Sequence, residues 1–237
     1  MSWEQDRDDF LVRVAYLVLN YNIPPELLLN MDETPLKHLA CIGKTWALKN
    51  SKNVSVQGGK DKRQATGTPW LNMLGEIIYF HTTVKGKTTK CLPKQDFRSR
   101  EEFKKIIFGF SDNHWVTHDT MKVQVEAVEI YRKQVVAEKG LHQDQKMVIL
   151  WDVYCKHCAP ELLDHILKEV YPHIIILFIP ANLTEIAQPL DMYFNGQFKM
   201  FLAEIRNIRI AELFFTHKKR SGSTYSCTAA GSRDKGC

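Results

Sequence analysis

Two uninterrupted aliphatic runs, KMVILWD at 146–152 and HIIILFIP at 173–180, set the terms for any fold this chain adopts. A strand with water on one face alternates apolar and polar residues, because successive side chains point to opposite faces. These runs do not alternate. Each is therefore predicted to be a strand covered on both faces, the environment of a parallel sheet with helices packed on it. The segment between them, APELLDHILKEV at 159–170, reads as the helix of a β-α-β unit, with Pro160 near its first turn.

The rest of the chain fits round that unit. Residues 4–20 carry apolar residues at helical spacing, and Pro24–Pro25 closes that helix. ELLLNMDET reads as a short buried strand ending at Asp32, and ATGTPWLNML and EIIYFHTTV as an antiparallel pair turned at Gly75. Residues 119–139 are predicted to be a helix with Asp119 as N-cap, an apolar stripe of Val123, Ala127, Ile130 and Val135, and Gly140 as its stop. From Ala187 to about Ile210 the pattern is helical again. Together these elements predict an α/β architecture, a mixed five-stranded sheet flanked by helices.

Composition narrows the function classes. With 44% hydrophobic and 25% charged residues the chain is too apolar for disorder, and its longest apolar run, seven residues, is far short of a membrane span. The acidic N-terminus MSWEQDRDDF lacks the form of a signal peptide, so the expectation is a soluble intracellular chain. The six cysteines are scattered and are expected to be reduced thiols. Cys155, His157 and Cys158 form a C-x-H-C word, with His114, His118 and His165 not far off, but no second spaced pair completes a zinc site. A net charge of +5, with Lys and Arg crowded at 58–63 and 85–105, permits an anionic partner without requiring one. Trp70, Trp115 and Trp151 are read as core residues before stacking platforms.

Three acids stand at strand ends or helix starts: Asp32 after the first strand, Asp152 closing KMVILWD, and Asp191 opening the helix beyond HIIILFIP. Ligand sites of α/β sheets collect at the carboxyl ends of strands. Three carboxylates brought together repel unless a cation sits among them, and oxygen ligands suit Mg²⁺ or Mn²⁺. Position alone leaves the plain structural reading open, since an aspartate at a helix start is common among the 27 acids.

The words around these acids are more specific: NMDETP at 30–35, WDVYCKH at 151–157 and FIPANLTEIAQPLD at 178–191, with FNGQFK at 194–199 and the hairpin GTPWLNMLGEIIYFHTTVKGKT. Together they resemble the DDE superfamily endonuclease domain, the integrase core of pogo- and Tigger-like transposases, distantly related to mariner. The resemblance covers roughly residues 27 to 205. It implies an RNase H-like fold and metal-dependent DNA cleavage and joining. Asp32, Asp152 and Asp191 would be the catalytic metal ligands for two Mg²⁺ or Mn²⁺ ions, and DNA the partner in a nuclear setting, with a homo-oligomer compatible. His157 follows the second acid as in the family, whereas the Asn that often follows that acid is Val153 here. Gln188 and Pro189 are expected to fix the approach of Asp191, and Asn182 and Thr184 to shape the loop through local side-chain to backbone bonds.

The resemblance divides the chain into an N-terminal helix or linker remnant (1–26), the DDE endonuclease domain (27–210) and a Ser/Gly-rich, unstructured tail (211–237). Relatives of this kind carry tandem helix-turn-helix modules ahead of the catalytic domain, and the roughly 26 residues here have no room for them. A catalytically silent, domesticated or truncated module that binds DNA or protein is therefore the alternative expectation.

Overall fold

The computed structural model describes residues 3–37, 64–153, 163 and 171–220. The basic stretch at 58–63, the expected helix at 159–170, and Cys155, His157, Cys158 and His165 lie outside the described residues. The chain divides into two compact units, 1–197 and 198–237, and the sheet and the candidate site belong to the first.

The first unit opens with helix α1 (Trp3–Asn20), followed by strands β1 (Leu28–Met31), β2 (Thr34–Lys37), β3 (Gln64–Asn72), β4 (Ile77–Lys85) and β5 (Ile106–Ser111). Helix α2 (His118–Lys139) leads to β6 (Met147–Asp152) and β7 (Ile174–Ile179). Helix α3 (Asn195–Arg220) runs past the boundary expected at residue 210.

The strands form one sheet in the order β5-β4-β3-β1-β6-β7, with β2 paired to β3. β3 runs antiparallel to β1, β2 and β4, whereas β1–β6, β6–β7 and β4–β5 are parallel pairs. The expected five-stranded mixed sheet is thus β4-β3-β1-β6-β7. The sequence pattern missed two additions, β2 and β5. IIFGFS at 106–111 lacks a clean alternation, and β2 holds only four residues.

The two aliphatic runs behave differently. Met147 to Trp151 of β6 are all buried, as a central strand requires, while Ile175 to Phe178 of β7 are only half-buried. β7 ends the sheet order, which is why a run expected to be covered on both faces is partly open. Trp70 and Trp151 meet edge-on in the core with ring centroids 6.5 Å apart, and the Trp70 indole N–H donates to Gln124 Oε1 of α2 at 3.0 Å. Trp115 is 44% exposed, against the core role expected for it.

Helix α2 is capped by Thr117 rather than Asp119. The Thr117 hydroxyl accepts from the Thr120 backbone N–H, while the Thr120 hydroxyl accepts from the N–H of Thr117. This reciprocal pair satisfies donors that a helix start leaves open. Its core face is Met121, Val125, Val128, Val135 and Val136, whereas Val123 and Ile130 of the expected stripe are about half exposed. The same face buries the Glu129–Arg132 ion pair at 2.8 Å, and the Arg132 guanidinium also donates to the Gln143 and Gln145 carbonyls. Those added acceptors offset the desolvation that makes a bare buried pair costly. The turn round Arg132 therefore pointed the helix differently from a count of apolar residues. Gly140 stops the helix at φ 61°, a left-handed conformation that costs glycine little. No described helix is long and apolar enough to cross a membrane.

His81 on β4 is buried, with its ring Nδ1 3.2 Å from the Thr83 hydroxyl. On the neighbouring strand Gly109 leaves room for the ring: a Cβ there would lie 2.8 Å from His81 Nε2. Burial pushes the His81 pKa down to about 4. The folded value lies below the unfolded one, near 6.5, so the stability this residue contributes is full above pH 6.5 and is lost as pH falls toward 4. Scanning calorimetry is expected to show His81→Gln losing less stability than the unsubstituted protein across that window. Parallel pH curves for the two would contradict a neutral buried imidazole.

Candidate active site

Register at the centre of the sheet sets the site. β1 and β6 pair in parallel with Asn30 opposite Leu150. Two residues further along each chain come Asp32, just past the end of β1, and Asp152, the last residue of β6, at the edge where parallel sheets present ligands. Asn30, just before this edge, is buried and makes two long-range bonds. Its Nδ2 donates to the Leu150 carbonyl at 3.0 Å, and its Oδ1 accepts from the Leu190 N–H at 3.1 Å. One amide thus joins both central strands to the turn that carries Asp191. In the sequence, the signal for Asn30 is an amide inside the apolar run LLLNM.

That turn is wide. Leu190–Phe194 form a π-helical turn before α3 begins at Asn195. Such turns are rare and cluster at functional sites. Here the turn sets Asp191 and Asn195 against each other: Asn195 Nδ2 donates to Asp191 Oδ1 at 2.8 Å and to Asp32 Oδ2 at 2.5 Å. Asn195 is buried, and it went unremarked in the sequence. The two carboxyls therefore share one amide donor. Burial, and then the Asp191 charge, push the Asp32 pKa up to about 6, although hydrogen bonds from Asn195 and the Glu33 backbone pull the other way.

Asp152 keeps different company. The Thr184 hydroxyl approaches its Oδ1 at 3.5 Å, a long contact, and also donates to the Ala181 carbonyl at 3.3 Å. Thr184 therefore makes the local bond expected of it. Asn182 does not: it reaches across to α1 and donates to Asp6 Oδ2 at 2.7 Å, pinning the loop after β7 to the first helix. The Gln188 side chain is fully buried beside the turn, and neither of its polar atoms has a hydrogen-bond partner among the described residues.

Asp32 and Asp191 are thus bridged by the Asn195 amide, and Asp152 closes the adjacent strand. Among the described residues no three His, Cys, Asp or Glu side chains form a group that could hold a metal ion. The donor chemistry still suits a hard cation: two carboxyls share a neutral amide donor, and a cation beside them would favour the ionised form that burial opposes at Asp32. His114 is engaged elsewhere, its Nε2 2.8 Å from Gln64 and its Nδ1 3.3 Å from Thr66. A cavity lined by Arg132, Tyr171 and His173 lies where α2 ends and β7 begins, which is the opposite edge of the sheet from the acids.

The mixed sheet flanked by helices, with acids at the carboxyl ends of its central strands, is an RNase H-like fold. The model of the DDE superfamily endonuclease family matches residues 81–211, more than half of the chain, and the chain belongs to that family. Asp152 and Asp191 fall inside the matched segment and Asp32 ahead of it. No curated protein sequence matches the chain at a significant level.

Two similar solved structures are a pre-cleavage Mos1 transpososome (TM-score 0.55, 12% identity) and the Mos1 mariner paired end complex with Mn (0.54, 11%). The first match covers 85% of this chain and 49% of that one, the second 91% and 56%. At such identity the likeness is one of fold, and this chain spans about half the length of those proteins.

Removing the Asp191 charge tests the pairing. The raised Asp32 pKa means the folded state holds that proton more tightly than the unfolded state does. Its stabilising contribution is complete below about pH 4 and is lost as pH rises through about 6. In EDTA, melting curves of Asp191→Asn are expected to overtake those of the unsubstituted protein between pH 4 and 7, by on the order of 1 kcal/mol at pH 7. A constant offset across that range would mean the two carboxyls do not interact.

Proposed function

We propose that this chain is the catalytic core of a transposase-type endonuclease that cleaves DNA phosphodiesters and joins strands with divalent metal ions. Asp32, Asp152 and Asp191 act as the catalytic acids. The observation that carries the reading is the Asp32–Asp191 pair tied by Asn195 at the sheet edge where Asp152 also ends. Asp32 and Asp191 would hold the cation together, and Asp152 would complete its ligands from β6. Mg²⁺ or Mn²⁺ in such a site supplies charge neutralisation and activation of a water or a DNA 3′-hydroxyl. The similar Mos1 complex with Mn supports that choice of metal.

The chain's own groups do the rest. Asn30 fixes the separation between the strand ends and the Asp191 turn, and Thr184 restrains the Asp152 carboxylate. The lysines and arginines of 85–105 are suited to DNA phosphates, a sequence-blind attraction that weakens with salt. Residues 27–210 would form the catalytic domain of a nuclear protein.

One observation favours a second reading. The Asn195 amide ties Asp32 to Asp191, whereas the Asp152 carboxylate lies near the Thr184 hydroxyl, an uneven arrangement that a domain binding DNA without cutting it would tolerate.

A supercoiled-plasmid assay separates the two readings. The unsubstituted protein is expected to nick DNA with Mg²⁺ or Mn²⁺ and not in EDTA, and Asp152→Asn and Asp191→Asn are expected to fall to background. Equal nicking by protein and variants would overturn the catalytic assignment. Salt-sensitive DNA binding that survives both substitutions, with no cleavage by any form, would establish the second reading.

A further inference from the structure

We propose that Asn195 is the positioning residue of this site: its amide holds the Asp32 and Asp191 carboxylates together by occupying one oxygen of each, leaving the other oxygen of each for a cation. The inference rests on the reading of those two acids as metal ligands. Asn195 Nδ2 donates to Asp32 Oδ2 and to Asp191 Oδ1, which leaves Asp32 Oδ1 and Asp191 Oδ2 outside its reach. Both protons of one NH₂ group are spent on carboxylates, one 163 residues from Asn195 in the sequence and the other 4 residues from it.

The backbone supports this use. Because the π-helical turn ends at Phe194, Asn195 is the first residue of α3, and its N–H bonds back to the Leu190 carbonyl. The residue is 3% exposed, and its Oδ1 has no hydrogen-bond partner among the described residues. A buried asparagine kept only to satisfy its own polar atoms would pair that oxygen. Here the donor side is fully used and the acceptor side is not, which is the arrangement of a group placed for the carboxylates. Donors that orient metal-binding carboxylates from outside the ligand set typically change metal affinity 10–100-fold when removed.

Two measurements on the full chain test this. Electron paramagnetic resonance of free Mn²⁺ gives the affinity of each variant. Asn195→Ala is expected to bind Mn²⁺ about tenfold or more weakly. Asn195→Ser, which keeps a shorter donor, is expected to lose less and serves if the alanine variant does not fold. Thr120→Ala, which damages the distant cap of α2, should destabilise the fold and leave Mn²⁺ affinity unchanged.

Urea unfolding in EDTA then compares Asn195→Ala, Asp191→Asn and the double variant. The midpoint shift of the double variant is expected to differ clearly from the sum of the single shifts, because both changes act on one bridge. Unchanged Mn²⁺ affinity in the Asn195 variants overturns the inference and leaves the metal reading standing. If the unsubstituted protein binds no Mn²⁺, the metal reading falls, and the unfolding cycle alone decides the bridge: coupled shifts support it and additive shifts overturn it.

Discussion

The buried amide of Asn30 is the bond on which the geometry of the site depends. Its two partners, the Leu150 carbonyl and the Leu190 N–H, belong to β6 and to the turn after β7, and neither is near Asn30 in sequence. A buried amide left unpaired would cost on the order of 1–3 kcal/mol, so each of the three segments holds the others to one arrangement. Two residues beyond it the strand ends, and the carboxylates emerge where the segments already meet. Below this point the core is ordinary aliphatic and aromatic packing round Trp70 and Trp151; above it the chain carries charge.

Carboxylates are gathered here at an electrostatic cost. Burial and the proximity of Asp191 both work against ionising Asp32, and only the Asn195 amide and a backbone N–H work for it. A fold gains nothing in stability from such a pair, since apolar residues of similar size would pack there without repulsion. That a chain keeps the pair, and buries an asparagine to hold it, is the physical basis for reading the edge as a place of chemistry. The cation such a site would take also relieves the repulsion, so binding and stability are linked in it.

Much of this was legible in the residues. KMVILWD and HIIILFIP both became strands of the sheet, although only the first is covered throughout, and the Gly75 hairpin and Gly140 stop fell where local chemistry put them. Errors arose where several local solutions compete. Thr117 and Asp119 could each cap α2, and the reciprocal bond with Thr120 decided for Thr117. The apolar stripe of α2 was misplaced because a buried Glu129–Arg132 pair occupies the inner face, which no count of hydrophobic residues anticipates. Asn182 looked like a loop-shaping residue and instead reaches α1, a partner 176 residues away.

The sequence by itself determined that three aspartates stand at element ends in words specific to one family, and that the elements are those of an α/β sheet. Only the tertiary structure decided which of them meet. Asp32 and Asp191 are joined because a wide turn places Asn195 to bridge them, while Asp152 lies nearest the Thr184 hydroxyl in the loop after β7. The reason is physical: local patterns act through backbone propensity and the side-chain period, which reach only a few residues along the chain. The distance between two carboxylates is set by strand register and by single buried hydrogen bonds between segments more than a hundred residues apart.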